Sequence, residues 1–256
     1  MKKIALITGA TSGIGKAVAL KLAQKNFNLI ITGRRKDLLE ELKKELGIKY
    51  KCDVLSLNFD VRDKEMVEEM LDSIPDSWRG IDVLINNAGL AVGLNPIQTG
   101  EIEDWEQMVD TNVKGLLYVT RKIVPMMIKN GSGHIINISS IAGKEVYENG
   151  NVYCATKHAV DALTKGMRID LVKHRIKVTS IAPGMVDTEF SLVRFKGDKE
   201  RADKVYEGFT PLFAEDIAEA ILFVVTRPPH VNINDMLIMP TAQANAVITH
   251  RELSSK

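Results

Sequence analysis

A short apolar run, Ile4-Ala5-Leu6-Ile7, passes directly into Thr8-Gly9-Ala10-Thr11-Ser12-Gly13-Ile14-Gly15, and apolar residues then recur at helical spacing. Three glycines between a strand signal and a helix signal leave few folds open. Glycine there permits a tight turn, lets the backbone approach a ligand closely, and lets the helix pack on the strand. The first N–H groups of the helix lack intrahelical partners and suit an anion such as a pyrophosphate. By itself the turn is equally compatible with a glycine-rich corner that binds nothing. Its place after the first strand favours a dinucleotide-binding unit.

Downstream, short β-rich apolar runs alternate with longer stretches of helical period. Strand-like runs lie at 3–8, 28–32, 54–59, 83–86, 134–139, 177–181 and 236–239, and most are apolar throughout. Strands of a parallel sheet covered by helices on both faces read this way, because neither side meets water. Helical stretches lie at 13–25, 36–46, 64–73, 105–129, 152–173 and 215–226. This rhythm, unbroken by a linker or repeat, predicts an α/β fold. It is expected to be one doubly wound (Rossmann) parallel sheet of about seven strands, with helices on both faces, in a single domain over 1–256. Asn26 and Gly47 fall where helix stops are needed, and Pro125 is expected to kink or end the helix over 105–129. Residues 185–211 carry no strand signal and read as a lid.

With 45% hydrophobic residues the chain can build a core, and its formal net charge of +1 offers no basic stripe to a nucleic acid or an anionic membrane. Met1-Lys2-Lys3 before the first apolar run imitates a secretion signal only loosely, since that run stops at Thr8-Gly9. No stretch approaches the roughly 20 apolar residues that span a bilayer. Cys52 and Cys154 form no C-x-x-C, which fits a reducing, cytoplasmic setting, and Cys154 reads as a packing residue. The histidines, at 134, 158, 174, 230 and 250, lack metal-ligand spacing, so no metal is expected.

The spacing G-x-x-x-G-x-G at 9–15, Asn86-Asn87-Ala88-Gly89 after the fourth strand, and Tyr153-x-x-x-Lys157 on a helix follow one another in order. Each alone is a common accident. Together they resemble the short-chain dehydrogenase/reductases over essentially the whole chain. The resemblance implies a homotetramer whose interface draws on the helices at 105–129 and 152–173. It also implies an oxidoreductase with Asn112, Ser140, Tyr153 and Lys157 as its catalytic set. By chemistry alone Ser139 is as reactive as Ser140; the family's spacing of thirteen residues to the tyrosine selects Ser140. Asn112 corresponds to the asparagine that carries a water-linked proton path to the lysine. At the cofactor it implies contacts from Gly9, Thr11, Ser12, Gly13, Ile14 and Gly15, then from Asp60, Val61, Asn87, Ala88 and Gly89. Tyr153, Lys157, Pro183, Gly184, Val186 and Thr188 complete that set.

Cofactor choice is read at Ile31-Thr32-Gly33-Arg34-Arg35. Gly33 stands where an NAD-selective site presents Asp or Glu to the ribose 2′-hydroxyl. Two guanidiniums follow, which grip a phosphate bidentately and keep their charge. A solvated basic loop would read alike, but the missing acid beside two arginines favours NADP(H), with Arg34 the stronger candidate. Tyr153 and Lys157, four apart, share a helix face. A free tyrosine ionises near pH 10, so the ammonium is expected to lower its pKa towards the useful range.

Substrate is read from Thr188–Phe195 and the tail 239–244, which resemble the NADP-dependent serine and 3-hydroxy acid dehydrogenases. Such acids need a cation, and Arg194 is the candidate clamp, although a loop arginine more often pairs on a surface. The alternatives are a reductase for another carbonyl class (3-oxoacyl thioesters, sugars or ketones) and a protein that binds NADP(H) without turnover.

Overall fold

The protein is described by a computed structural model covering residues 2–252. In chain order the main elements begin β1 (Ile4–Ile7), α1 (Gly13–Gln24), β2 (Asn28–Gly33), α2 (Lys36–Tyr50), β3 (Val54–Asn58), α3 (Lys64–Asp72) and β4 (Ile81–Asn86). Then come α4 (Ile102–Val109), a π-helical turn (Asp110–Gly115), α5 (Leu116–Asn130), β5 (Gly133–Ile138), α6 (Asn151–Leu171) and β6 (Ile176–Pro183). The last are β7 (Val186–Asp187), α7 (Phe190–Arg194), α8 (Lys199–Lys204), β8 (Leu212–Phe213), α9 (Ala214–Val225) and β9 (Asp235–Ile238).

Among the described residues one sheet holds seven strands in the order β3-β2-β1-β4-β5-β6-β9, and every neighbouring pair is parallel. Successive residues of a strand point to opposite faces. Ala5 and Ile7 therefore join one core with Leu22 of α1 and Ile217 of α9, while Ile4 and Leu6 join another with Val67 of α3 and Ile123 of α5. Each fully buried Leu or Ile contributes about 1.5–3 kcal/mol, which is why near-continuous apolar strands sit only here. The chain leaves β1 for β2 on one side and reaches β4 on the other. That divergence opens a crevice at the carboxyl ends of the strands.

Three local expectations are corrected. The helix over 105–129 is two helices joined by the π-turn, which starts inside that span. A Cβ on Gly115 would lie 2.7 Å from Val61 Cγ2, so the turn packs on the loop after β3 as only glycine allows. Pro125 does not end α5. It lies on an exposed position, and Arg121, whose carbonyl loses its usual donor, is also exposed, so water can serve that carbonyl. The stop is Gly131, at φ 77°. Gly47 does not end α2 either: the helix continues to Tyr50, and Lys51 takes the left-handed conformation at φ 50°. Asn26, at φ 61°, does follow the end of α1. The segment 185–211 carries more structure than its sequence signals, namely β7 paired with β8, and the helices α7 and α8.

Candidate active site

The turn after β1 is built around missing side chains. Gly9 and Gly13 have φ of 65° and 50°, and a Cβ on Gly15 would fall 2.3 Å from the Gly9 carbonyl oxygen. Asn87 locks this geometry from β4: its Nδ2 donates to the carbonyls of Thr8 (2.9 Å) and Gly9 (3.1 Å). Thr8 Oγ1 in turn accepts from the backbone N–H of Asn87 and Ala88, both at 3.0 Å. The motif Asn86–Gly89 is thus a brace for the glycine turn. Asn86 braces the next strand, donating to Asn137 Oδ1 at 2.9 Å.

One cleft runs from this turn to Tyr153. Every residue expected at the cofactor lines it except Gly15, which packs beneath the turn. At one end Arg35 donates to Ser12 Oγ (2.7 Å), Thr11 Oγ1 (3.0 Å) and the Glu189 carboxylate (3.0 Å). Arg34 lies 3.7 Å from Asp60 Oδ2. Asp60 is gripped more closely by Arg62, at 2.7 and 3.0 Å. Burial works to raise the Asp60 carboxyl, but the Arg62 hydrogen bonds and the charges of Arg62 and Arg34 outweigh it and hold it below the usual range. Two guanidiniums and the Ser12 and Thr11 hydroxyls give this end donors for a phosphate-bearing dinucleotide, with Glu189 as the carboxylate that competes for Arg35.

At the other end Tyr153 and Lys157 rise from one face of α6, with Lys157 Nζ 5.9 Å from the phenol ring centre. Both are buried. Lys157 Nζ donates to the Ile138 carbonyl at 2.9 Å, tying it to the end of β5. Burial draws its pKa down to about 8. The phenol departs from expectation: burial, then the neighbouring Tyr147, push the Tyr153 pKa up, against the Arg194 charge and the Ser140 hydroxyl beside it. The cation that draws this phenol down is Arg194, and desolvation outweighs it. Tyr153 is therefore a neutral phenol at pH 7.

Ser139 and Ser140 both line the cleft: Ser140 Oγ accepts from the Ala142 N–H at 3.1 Å and donates to the Pro183 carbonyl at 3.4 Å, while Ser139 Oγ donates to the Lys157 carbonyl at 3.5 Å. The π-turn carries Asn112 inward. Its Oδ1 accepts from the Leu90 N–H and its Nδ2 donates to the Leu90 carbonyl, both at 2.8 Å. It stands behind the cleft. A Cβ on Gly89 would lie 3.3 Å from Asn112 Oδ1 and 3.5 Å from Lys157 Nζ, so both polar groups flank that bare α-carbon.

The segment 185–211, expected to be a lid, lines this cleft through Val186, Thr188, Glu189, Phe190 and Val193. Thr188 packs on the bare face of Gly13, and α7 brings Phe190 to a ring-centre distance of 5.7 Å from Tyr153. Arg194 lies with its guanidinium carbon 5.0 Å from the centre of the Tyr153 ring. Among the described residues two ion pairs tie this segment to the rest of the protein: Arg35 to Glu189, and Lys196 to the buried Asp104 of α4 at 2.9 Å. Gln243 in the tail steadies its root, accepting from the Met185 N–H at 2.8 Å. Glu189, Asp104 and the brace at Gln243 escaped sequence reasoning, since each acts through a partner distant in the chain.

The family model described as short chain dehydrogenase matches residues 3–198. The chain belongs to this family. An NADP-dependent 3-hydroxy acid dehydrogenase of Salmonella typhi is 50% identical over 250 residues, covering 97% of this chain and 99% of that protein. A sulfoacetaldehyde reductase of Chromohalobacter salexigens is 44% identical, covering 95% and 96%. Among solved structures, the closed form of a serine dehydrogenase complexed with NADP+ superposes with a TM-score of 0.92 at 46% identity, covering 98% of this dehydrogenase and all of that chain.

Proposed function

We propose that this dehydrogenase uses NADP(H) to interconvert the 3-hydroxyl of a small hydroxy acid, serine among them, with the matching carbonyl. The observation that carries the substrate class is Arg194. Its charge lies beside Tyr153, its Nε is buried without an acceptor, and no carboxylate approaches within 4.0 Å among the described residues. A guanidinium so placed is incomplete until an anion arrives. The surface pairing common to loop arginines is absent at this one.

The cofactor end is read in the same way. The glycine turn leaves room for a pyrophosphate, and Arg34 and Arg35 with Ser12 and Thr11 offer donors to a 2′-phosphate with no acid where NAD-selective sites carry one. NADP(H), when bound, supplies or takes the hydride. Tyr153, kept protonated by burial, donates its proton to the substrate oxygen during reduction and is left as the phenolate; oxidation starts from that phenolate, which takes the hydroxyl proton back. Ser140 hydrogen-bonds that oxygen as charge develops. Lys157 holds a positive charge under the phenol below about pH 8. Asn112 fixes the Leu90 backbone and the π-turn behind them.

The relative that reduces sulfoacetaldehyde favours a second reading, a sulfonate in place of the carboxylate, because a guanidinium takes either anion. Assembly as a homotetramer draws support from Ile169, Val172 and Leu237, apolar side chains left exposed at the end of α6 and on the edge strand β9. A cytoplasmic setting rests on the thiols of Cys52 and Cys154, both free. The reading is tested with a panel of 3-hydroxy acids, sulfonates, uncharged alcohols and ketones, each with NADP and NAD. It expects NADP-dependent turnover favouring a carboxylate-bearing alcohol. Preference for uncharged ketones, or equal use of NAD, contradicts it.

A further inference from the structure

Arg194 is held by groups that fix its position without neutralising it. Its guanidinium lies near three rings, at 5.0 Å from Tyr153, 5.2 Å from Phe190 and 5.7 Å from Tyr147. Faces of rings attract a cation but do not orient its N–H fork within the guanidinium plane. The directional contact is a hydrogen bond from Nη2 to the Tyr147 hydroxyl at 2.6 Å. Its backbone is pinned separately, the Arg194 carbonyl accepting from the Gly93 N–H at 2.9 Å.

Tyr147 is itself a fitted part. It precedes α6 in the loop after β5. Its ring lies on Gly150, where a Cβ would fall 2.3 Å from the ring edge. The Gly150 N–H donates to the Tyr147 carbonyl at 3.1 Å. Burial pushes the Tyr147 pKa up, so its oxygen meets Arg194 as a neutral acceptor and leaves the arginine's charge uncancelled. A carboxylate at that position would orient Arg194 equally well but would consume the charge a substrate anion needs.

We infer that Tyr147 is a positioning residue for acid recognition, seated on Gly150 and aiming the Arg194 guanidinium over the catalytic tyrosine. The inference rests on the reading of Arg194 as the group that receives the substrate's anion. Tyr147 touches neither the cofactor nor the reacting atoms in this account. Its loss weakens the binding of an acid selectively, whereas any change it makes in the Tyr153 pKa falls on acids and uncharged substrates alike.

The experiment is steady-state kinetics of Tyr147→Phe and of Arg194→Ala, on a 3-hydroxy acid and on an uncharged alcohol of the same length, with NADPH binding followed by fluorescence. Tyr147→Phe keeps the ring and removes the hydroxyl. Loss of a hydrogen bond to a charged group should raise KM for the acid about tenfold, with the alcohol's KM and NADPH affinity unchanged within about twofold and any change in kcat shared equally by acid and alcohol. Arg194→Ala should raise the acid's KM further. If Arg194→Ala is selective for the acid and Tyr147→Phe is not, the positioning role falls and the anion site stands. If neither is selective, both fall. Weakened NADPH binding in Tyr147→Phe would make the residue merely structural and overturn the inference.

Discussion

The floor of the cleft hangs from a seven-stranded sheet, while the segment proposed as its lid rests on a two-residue strand, a five-residue helix and a few side-chain bonds. Floor groups are buried: Ser140, Tyr153, Lys157 and Asn112 are each at most 8% exposed. Lid groups meet solvent, and the Arg35–Glu189 pair that fastens them is about half exposed on both sides. Deep packing fixes proton-transfer geometry and shifts pKa values, which chemistry requires of every substrate. Short elements held by surface pairs can vary without unfolding the sheet, and substrate choice can then change. Arg194 is the exception that joins the two, a lid residue whose charge reaches the phenol of the floor.

The comparison breaks first at Tyr153. Tyr153→Phe should lower kcat by about a thousandfold or more for acids and alcohols alike, since the proton donor is shared. NADPH binding, read by fluorescence, should persist. A loss confined to acids would move the chemistry into the lid.

The second prediction concerns the foundation beneath the floor. His134 on β5 is buried, contacts Thr179 Oγ1 at 2.8 Å, and has its pKa drawn down to about 3 by burial and then by Lys177 and Lys3. The unfolded chain takes up this proton below about pH 6.5 and the folded one does not, so stability falls as pH drops from there towards 3. The slope is at most about 1.4 kcal/mol per pH unit from this group. Denaturant titrations of wild type and His134→Gln between pH 7 and 5 should show a flatter dependence in the variant. Parallel slopes would remove the histidine from the account.

The smallest effect belongs to the lid's fastening. Glu189 shares Arg35 with the phosphate it is expected to bind, and an exposed pair contributes only about 0.2–1 kcal/mol. Glu189→Gln should tighten NADPH by no more than about fivefold at low salt, less as salt screens the pair, and leave NADH unchanged. An equal gain for both cofactors would show that Glu189 acts on the lid alone.

Much of the floor was legible in sequence because it is local. A glycine turn, an N-N-A-G run and a tyrosine four residues before a lysine each declare their chemistry over a few positions. Helix limits were less legible: Gly47 and Pro125 look like breaks, yet open space around one and solvent at the other let both helices continue. The π-turn at Asp110–Gly115 sets Gly115 against Val61, and no periodicity announces it. The pKa of Tyr153 was misjudged because sequence shows a neighbouring charge and hides desolvation. Pairings across the lid were invisible, Arg35 meeting Glu189 across 154 residues and Tyr147 meeting Arg194 across 47. Arg194 itself is found by resemblance, and only the fold shows that no carboxylate among the described residues pairs with it.

The division between floor and lid is tested most directly by one ratio, kcat/KM for a 3-hydroxy acid over that for the matching uncharged alcohol, in wild type and Arg194→Ala. Losing a charge-assisted anion contact, the variant should see this ratio fall by about 10- to 100-fold, because any change in the Tyr153 pKa is common to both substrates and cancels in the ratio. A ratio that stays constant, or one that falls because the alcohol improves, would contradict the assignment of acid recognition to the lid.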